Sequence, residues 1–92
     1  MSNFNLLNLT NSQTLTLGAN AAATSAIIPQ LRFRLMPQVN CHIAIGTGPT
    51  ATTSSVFVCG GQISPEFDIP MNNKVSVLNA TSTADAKVTI FY

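Results

Sequence analysis

The residues equipped to do chemistry are few: Glu66 and Asp68, the group Cys41, His42 and Cys59, and a glycine-rich run that starts at Gly46. Glu66-Phe67-Asp68 sets two carboxylates two residues apart, which puts them on one face of a strand. That spacing suits an acid–base pair or part of a calcium site. Calcium recruits several more oxygens, and no neighbour marks either acid as tuned by burial. Pro65 and Pro70 flank the pair, as on an edge strand where charge discourages unwanted pairing. Cys41 and His42 point to opposite faces of a strand, so one ion cannot take both. The sequence has no second histidine and no C-x-x-C spacing, the usual sources of a zinc site. His42 reads as a strand residue facing solvent or an interface.

Gly46-Thr47-Gly48-Pro49-Thr50-Ala51 fits the dinucleotide pattern G-x-G-x-x-G/A. That fingerprint needs a helix whose N-terminus faces the pyrophosphate. Residues 50–58 are instead rich in Thr, Ser and Val, so a loop between strands is the better reading. A G-x-S-x-G elbow is missing as well. These patterns assign no catalytic residue, no metal ligand and no cofactor, and the chain reads as a non-enzyme.

One charge pattern is more informative. Arg32-Phe33-Arg34 and Glu66-Phe67-Asp68 are complementary images around a central Phe. If the two strands lie side by side, Arg32 and Arg34 can meet Glu66 and Asp68 while the phenylalanines pack on the core face. If the strands are far apart, the same match operates between subunits. Either way these four residues are the candidates for cross-strand pairing or an interface.

The elements that position them are strands. Leu31-Arg32-Phe33-Arg34-Leu35 alternates apolar and charged residues, which predicts Leu31, Phe33 and Leu35 inward and both arginines outward. Alternation also marks Cys41–Ile45, Lys74–Val77 and Lys87–Ile90. Thr14–Leu17, Ala23–Ile28, Ser55–Cys59 and Ile63–Ile69 are weaker strands. Turn residues punctuate these runs at a spacing of about 8–12 residues, which indicates a β-sandwich or small barrel. Gly60-Gly61 predicts a tight hairpin between the Phe57 and Phe67 strands. Met71-Asn72-Asn73 predicts a second turn, because Asn tolerates left-handed backbone. The Ala-rich run 19–26 is the best helical alternative, but two turns are marginal without tertiary support. The expected architecture is all-β: one antiparallel, jelly-roll-like sandwich of about seven to eight short strands, spanning residues 1–92. Residues 1–13 form either its first strand or an extended arm. In the arm reading, Phe4, Leu6, Leu7 and Leu9 contact a neighbour's sheet edge. The last strand runs to Tyr92 and is built into the fold.

Composition bounds the function. The 92 residues carry four basic and three acidic side chains, net charge +1. That is 8% charged, where about 25% is ordinary. Eleven Thr, eight Ser, nine Asn and four Gln supply the polarity. So few cations exclude strong nonspecific nucleic-acid binding, and no apolar run is long enough for a membrane helix. The N-terminus shows no secretory pattern, so the sequons at Asn8 and Asn79 are set aside. Cys41 and Cys59 read as two reduced, buried, small apolar residues, with a disulfide between neighbouring strands left open to geometry. A neutral exterior suits an interface with other protein better than a monomer's solvated surface.

The segments Cys41–Gly46, Pro49-Thr50-Ala51-Thr52, Val56–Val58, Phe67-Asp68-Ile69, Asn73–Leu78 and Lys87–Ile90 resemble, over about residues 31–92, small all-β virion proteins of tailed bacteriophages. The shared pattern is strand and turn chemistry, so no site residue is carried over. The resemblance implies a capsid cement or decoration protein on the outer surface of the virion, made in the host cytoplasm. Its expected partners are the major capsid protein and further copies of itself, a trimer being favoured, with no nucleic acid or membrane. A fibre or host-recognition module, or a tail or head–tail connector component, is the alternative.

Overall fold

The computed structural model describes residues 10–92. Alternating apolar residues, many of them β-branched, build eight strands: β1 (Ser12–Leu17), β2 (Ala22–Thr24), β3 (Arg32–Pro37), β4 (Cys41–Gly46), β5 (Val56–Val58), β6 (Phe67–Asp68), β7 (Lys74–Asn79) and β8 (Ala86–Phe91). No helix forms among the described residues, and the Ala-rich run supplies β2 instead. The strands make two four-stranded antiparallel sheets, ordered β1-β8-β3-β6 and β2-β7-β4-β5. Every step along the chain changes sheet except β4 to β5. This is jelly-roll connectivity.

Alternation decides the core. Phe33 and Leu35 of β3, Val75 and Val77 of β7, and Val88 and Ile90 of β8 are fully buried between the sheets, together with Leu17, Ile28 and Cys41. Burying each of the larger apolar side chains contributes about 1.5–3 kcal/mol. Leu31 departs from the expected inward set, being 57% exposed. It precedes the first rung of β3, Arg32 with Asp68, and buried Ile28 and Ile69 close the core at that end.

Several boundaries also shift. β1 starts at Ser12, paired with Phe91, so Ser12 and Gln13 belong to a strand rather than to an arm. Phe4, Leu6, Leu7 and Leu9 lie outside the described residues. Asn11 and Tyr92 exchange backbone hydrogen bonds of 2.9 and 3.0 Å, which fixes the C-terminal residue. The Ala23–Ile28 run keeps only β2 and a single bridge from Ile28 to Asn73. Asn72 takes the left-handed backbone expected of the turn before β7 (φ 64°).

Gly60-Gly61 is not a hairpin. β5 and β6 belong to different sheets, so the pair lies in a crossover. Its glycines are needed for two reasons. A Cβ on Gly60 would collide with the Val39 backbone, and Gly61 has φ +80°.

Two buried serines end the short strands. In register, Pro65 would face Leu35 but has no N–H to give. Ser64 takes over: its N–H donates to the Leu35 carbonyl, and its Oγ accepts the Leu35 N–H, both at 2.8 Å. Ser25 repeats the device after β2, donating to the Val75 carbonyl at 2.8 Å and accepting the Val75 N–H at 3.0 Å. Each hydroxyl then donates to the next residue's carbonyl, Pro65 or Ala26. Strand-like runs therefore shorten without orphaning buried backbone groups.

Candidate interaction surfaces

The charge-bearing strands lie side by side. β3 and β6 pair antiparallel, with Arg32 opposite Asp68 and Phe33 opposite Phe67. The two phenyl rings stack with centroids 5.4 Å apart. Arg32 takes both acids: Nη1 lies 3.5 Å from Glu66 Oε1, and Nε lies 3.7 Å from Asp68 Oδ1. Arg34 is half-buried and directs Nη1 to the Ser64 carbonyl at 3.2 Å. Such exposed, long ion pairs contribute a few tenths of a kcal/mol at most, so their role is register. Lys87 occupies the same outer face, where Nζ donates to Thr16 Oγ1 across β1 and β8 (2.9 Å).

The opposite outer face carries a single formal charge among its paired strand residues, Lys74 opposite Gly46. One transverse row across the β2 sheet runs Ala22, Leu78, His42, Phe57. His42 therefore points outward and is half-buried. Its ring packs edge-on to Phe57 at 5.5 Å. Its Nδ1–H donates to the Ser55 carbonyl at 3.0 Å, which sets the tautomer. The glycine-rich segment is the β4–β5 loop, and it folds over the neighbouring row. Ala51 N–H donates to buried Ser76 Oγ at 2.9 Å.

The cysteines part company. Cys41 pairs in register with Val58 and points into the core, whereas Cys59, one residue on, is exposed; both are free. The expectation that both are buried fails for Cys59, because successive strand residues face opposite ways. Burial pushes the Cys41 thiol up to about 11, from 9.0.

The two lateral edges of the sandwich differ most. At the β1/β2 edge, the Gln13 amide joins the sheets: Oε1 accepts the Ala26 N–H at 2.9 Å, and Nε2 donates to the Ala26 carbonyl and to the Tyr92 hydroxyl. At the β5/β6 edge, a groove of about 300 Å³ parts β5 from residues 62–67. Val58, Ile63, Pro65 and Phe67 line it, with Val56, Phe57 and Cys59 at its rim. Val56 and Phe57 are 59% and 52% exposed. A second hollow of about 390 Å³ continues along the edge beside Leu31, Arg32, Asp68, Ile69 and Pro70.

Sequence reasoning missed this groove, because it arises from two edge strands in different sheets. It also passed over Asn79, which was set aside with the sequons. Asn79 is 1% exposed. Its Nδ2 donates to the carbonyls of Gly18 and Thr83, and its Oδ1 accepts from the Thr81 N–H and hydroxyl. The sequon marks a loop-tying hub. Asn8 lies outside the described residues.

Among the described residues, no cluster of three or more His, Cys, Asp or Glu is placed to hold a metal, and no helix is long and apolar enough to cross a membrane. No protein family, curated protein or solved structure matches the chain.

Proposed function

We propose that the chain is a non-enzymatic virion structural protein, a capsid cement or decoration protein that bridges and stabilises major capsid subunits as a homo-oligomer. The carrying observation is the exterior: a jelly roll with large apolar side chains, Ile27, Leu31, Met36, Val56, Phe57 and Met71, left exposed on a chain that is 8% charged. Apolar side chains exposed on a chain with so few charges suit burial against a partner. Jelly rolls serve as viral capsid domains, and the sequence resemblance over residues 31–92 points the same way. A cement protein works by burying surface between neighbours, about 1,200–2,000 Å² per specific contact, and needs complementary faces more than a catalytic pocket.

Jelly rolls also serve as lectins, and the Phe57 groove keeps a fibre or host-recognition module as the second reading. Purified virions separate the two. Cement is present in hundreds of copies, and stripping it lowers the particle's resistance to heat and osmotic shock. A handful of copies at one vertex, with unchanged resistance after removal, refutes the cement reading and favours a fibre or connector role.

A further inference from the structure

We propose that a second copy of this chain docks by twofold symmetry on the corner formed by residues 31–32 and 68–71, each copy setting Leu31 into the other's hollow while Arg32 and Asp68 exchange partners across the axis. The inference rests on the homo-oligomer part of the reading above and needs no capsid.

Charge carries the choice of occupant. Arg32 and Asp68 face each other in register, so one patch presents a cation and an anion side by side. A twofold axis through such a pair brings each cation to the other copy's anion, because the same patch meets itself in reverse. A partner of one charge sign would set a like charge against half of the patch. The pair is not used up within the chain. The contacts of Arg32 with Glu66 and Asp68 are 3.5 and 3.7 Å long, where a charge-assisted hydrogen bond is about 2.7–2.9 Å. The Asp68 side chain is 94% exposed and that of Arg32 64%. With Arg34 and Glu66 close by in sequence, the corner holds two cations and two acids, so two copies do not repel each other as wholes.

Apolar shape supplies the burial. Leu31, Ile69 and Pro70 line the hollow of about 390 Å³ together with that ion pair. Leu31 and, after Pro70, Met71 are exposed. The Leu31 backbone is held in place, its carbonyl accepting the Ile69 N–H at 2.9 Å. A cavity of about 150 Å³ admits a benzene-sized group, so the hollow has space for the Leu31 side chain of a second copy. Docking takes Leu31 and Met71 out of water. The ion pairs stay at the rim, where charge fixes partner and orientation more than strength.

The opposite end of the sandwich offers no such patch. Its connections are residues 18–21, 38–40 and 80–85. They contain none of the large exposed apolar side chains and only one charged residue, Asp85.

Charge reversal tests the contact from both sides. Sedimentation of the full chain is compared with Arg32→Glu, with Asp68→Lys and with an equimolar mixture of the two variants, while circular dichroism reports the fold of each. The expected result is a dimer of the full chain and association of each variant alone weakened by at least about tenfold. The mixture is expected to form a heterodimer, because an acidic 32/68 pair then meets a basic one. Charges that act only inside one chain are not rescued by mixing. Leu31→Asn, at an exposed position, is expected to separate the copies with unchanged circular dichroism, and it decides the matter if a charge variant fails to fold. Dimerisation left unchanged by both charge variants or by Leu31→Asn overturns the proposal. So does a mixture of folded variants that stays monomeric. A full-length trimer, which a single twofold contact cannot build, overturns it and leaves the homo-oligomer reading standing. A full-length monomer overturns it and leaves the capsid reading standing, since a monomer can still bridge capsid subunits.

Discussion

The β1/β2 edge closes on hydrogen bonds, whereas the β5/β6 edge stays parted over apolar side chains. One amide accounts for much of the first. Gln13 gives and takes a hydrogen bond with Ala26 and donates to Tyr92, so it acts as a rung between the two sheets. Asn11 and Tyr92 exchange backbone hydrogen bonds beside it. At the other edge, Pro65 breaks the ladder, and Ser64 repairs it only toward β3. Val58, Ile63 and Phe67 are left facing one another across the groove. A small sandwich can seal an edge with one well-placed amide. An edge left open exposes apolar surface, and a partner that covers it removes that surface from water.

The largest expected effect comes from the wall of the open edge. Gly60→Ala puts a Cβ against the Val39 backbone, which no rotamer change can relieve. It also strains the Gly60 N–H bond to Asn40 Oδ1 (2.9 Å). The expected loss is about 3 kcal/mol, read from the urea midpoint at constant slope. A loss near zero would show that residues 59–66 are loosely held and that the groove has no fixed wall.

Next comes a pH effect that separates the core thiol from the rim thiol. Folded Cys41 keeps its proton up to about pH 11, while the unfolded chain releases it near 9.0. Between those values the folded state binds more protons, so stability is full below pH 9 and falls as pH rises to 11. The expected fall is about 2.5 kcal/mol. Cys41→Ala removes this slope, and Cys59→Ala retains it; denaturant titrations from pH 8 to 11 give the answer. Equal slopes in the two variants would mean that Cys41 is not the titrating group.

The serine devices let the two edges be compared with like chemistry. Ser25→Ala and Ser64→Ala each orphan one buried N–H, of Val75 and of Leu35, at a cost of about 2 kcal/mol. Equal losses in thermal melts mean that both strand ends are equally dry. A clearly smaller loss for Ser64→Ala would mean that water enters from the groove and satisfies Leu35.

How much of this was legible depends on the range of the interaction. Alternation is local: in Leu31–Leu35 it named Phe33 and Leu35 inward correctly and Leu31 wrongly, and in Lys87–Ile90 it marked the strand that forms β8. The all-β sandwich followed from that patterning. The mirrored triplets around Phe33 and Phe67 pointed to each other because register carries charge complementarity into sequence. Gly60-Gly61 misled, because glycine signals tight backbone but not which sheet the next strand joins. Ser25, Ser64 and Asn79 were illegible for a related reason. A short polar side chain in a Ser-, Thr- and Asn-rich chain looks solvated until the buried backbone group that it satisfies is known. The groove depends on two edge strands from different sheets and has no local signal.

The smallest effect tests the closed edge itself. Gln13→Ala removes the amide that bridges β1 and the residues after β2. Its contacts are partly exposed, so water replaces part of what is lost, and the expected cost is about 1 kcal/mol. The informative quantity is local. Hydrogen exchange at Ala26, whose N–H donates to Gln13 Oε1, should accelerate with the variant, while exchange at Leu35 and Val77 in the core stays as it was. If Ala26 alone opens, closure of this edge is a local matter of one amide and the backbone it bridges. If exchange at Leu35 and Val77 accelerates as well, the Gln13 amide holds the two sheets together as a whole, and the closed edge is a part of the core's stability rather than a local seal.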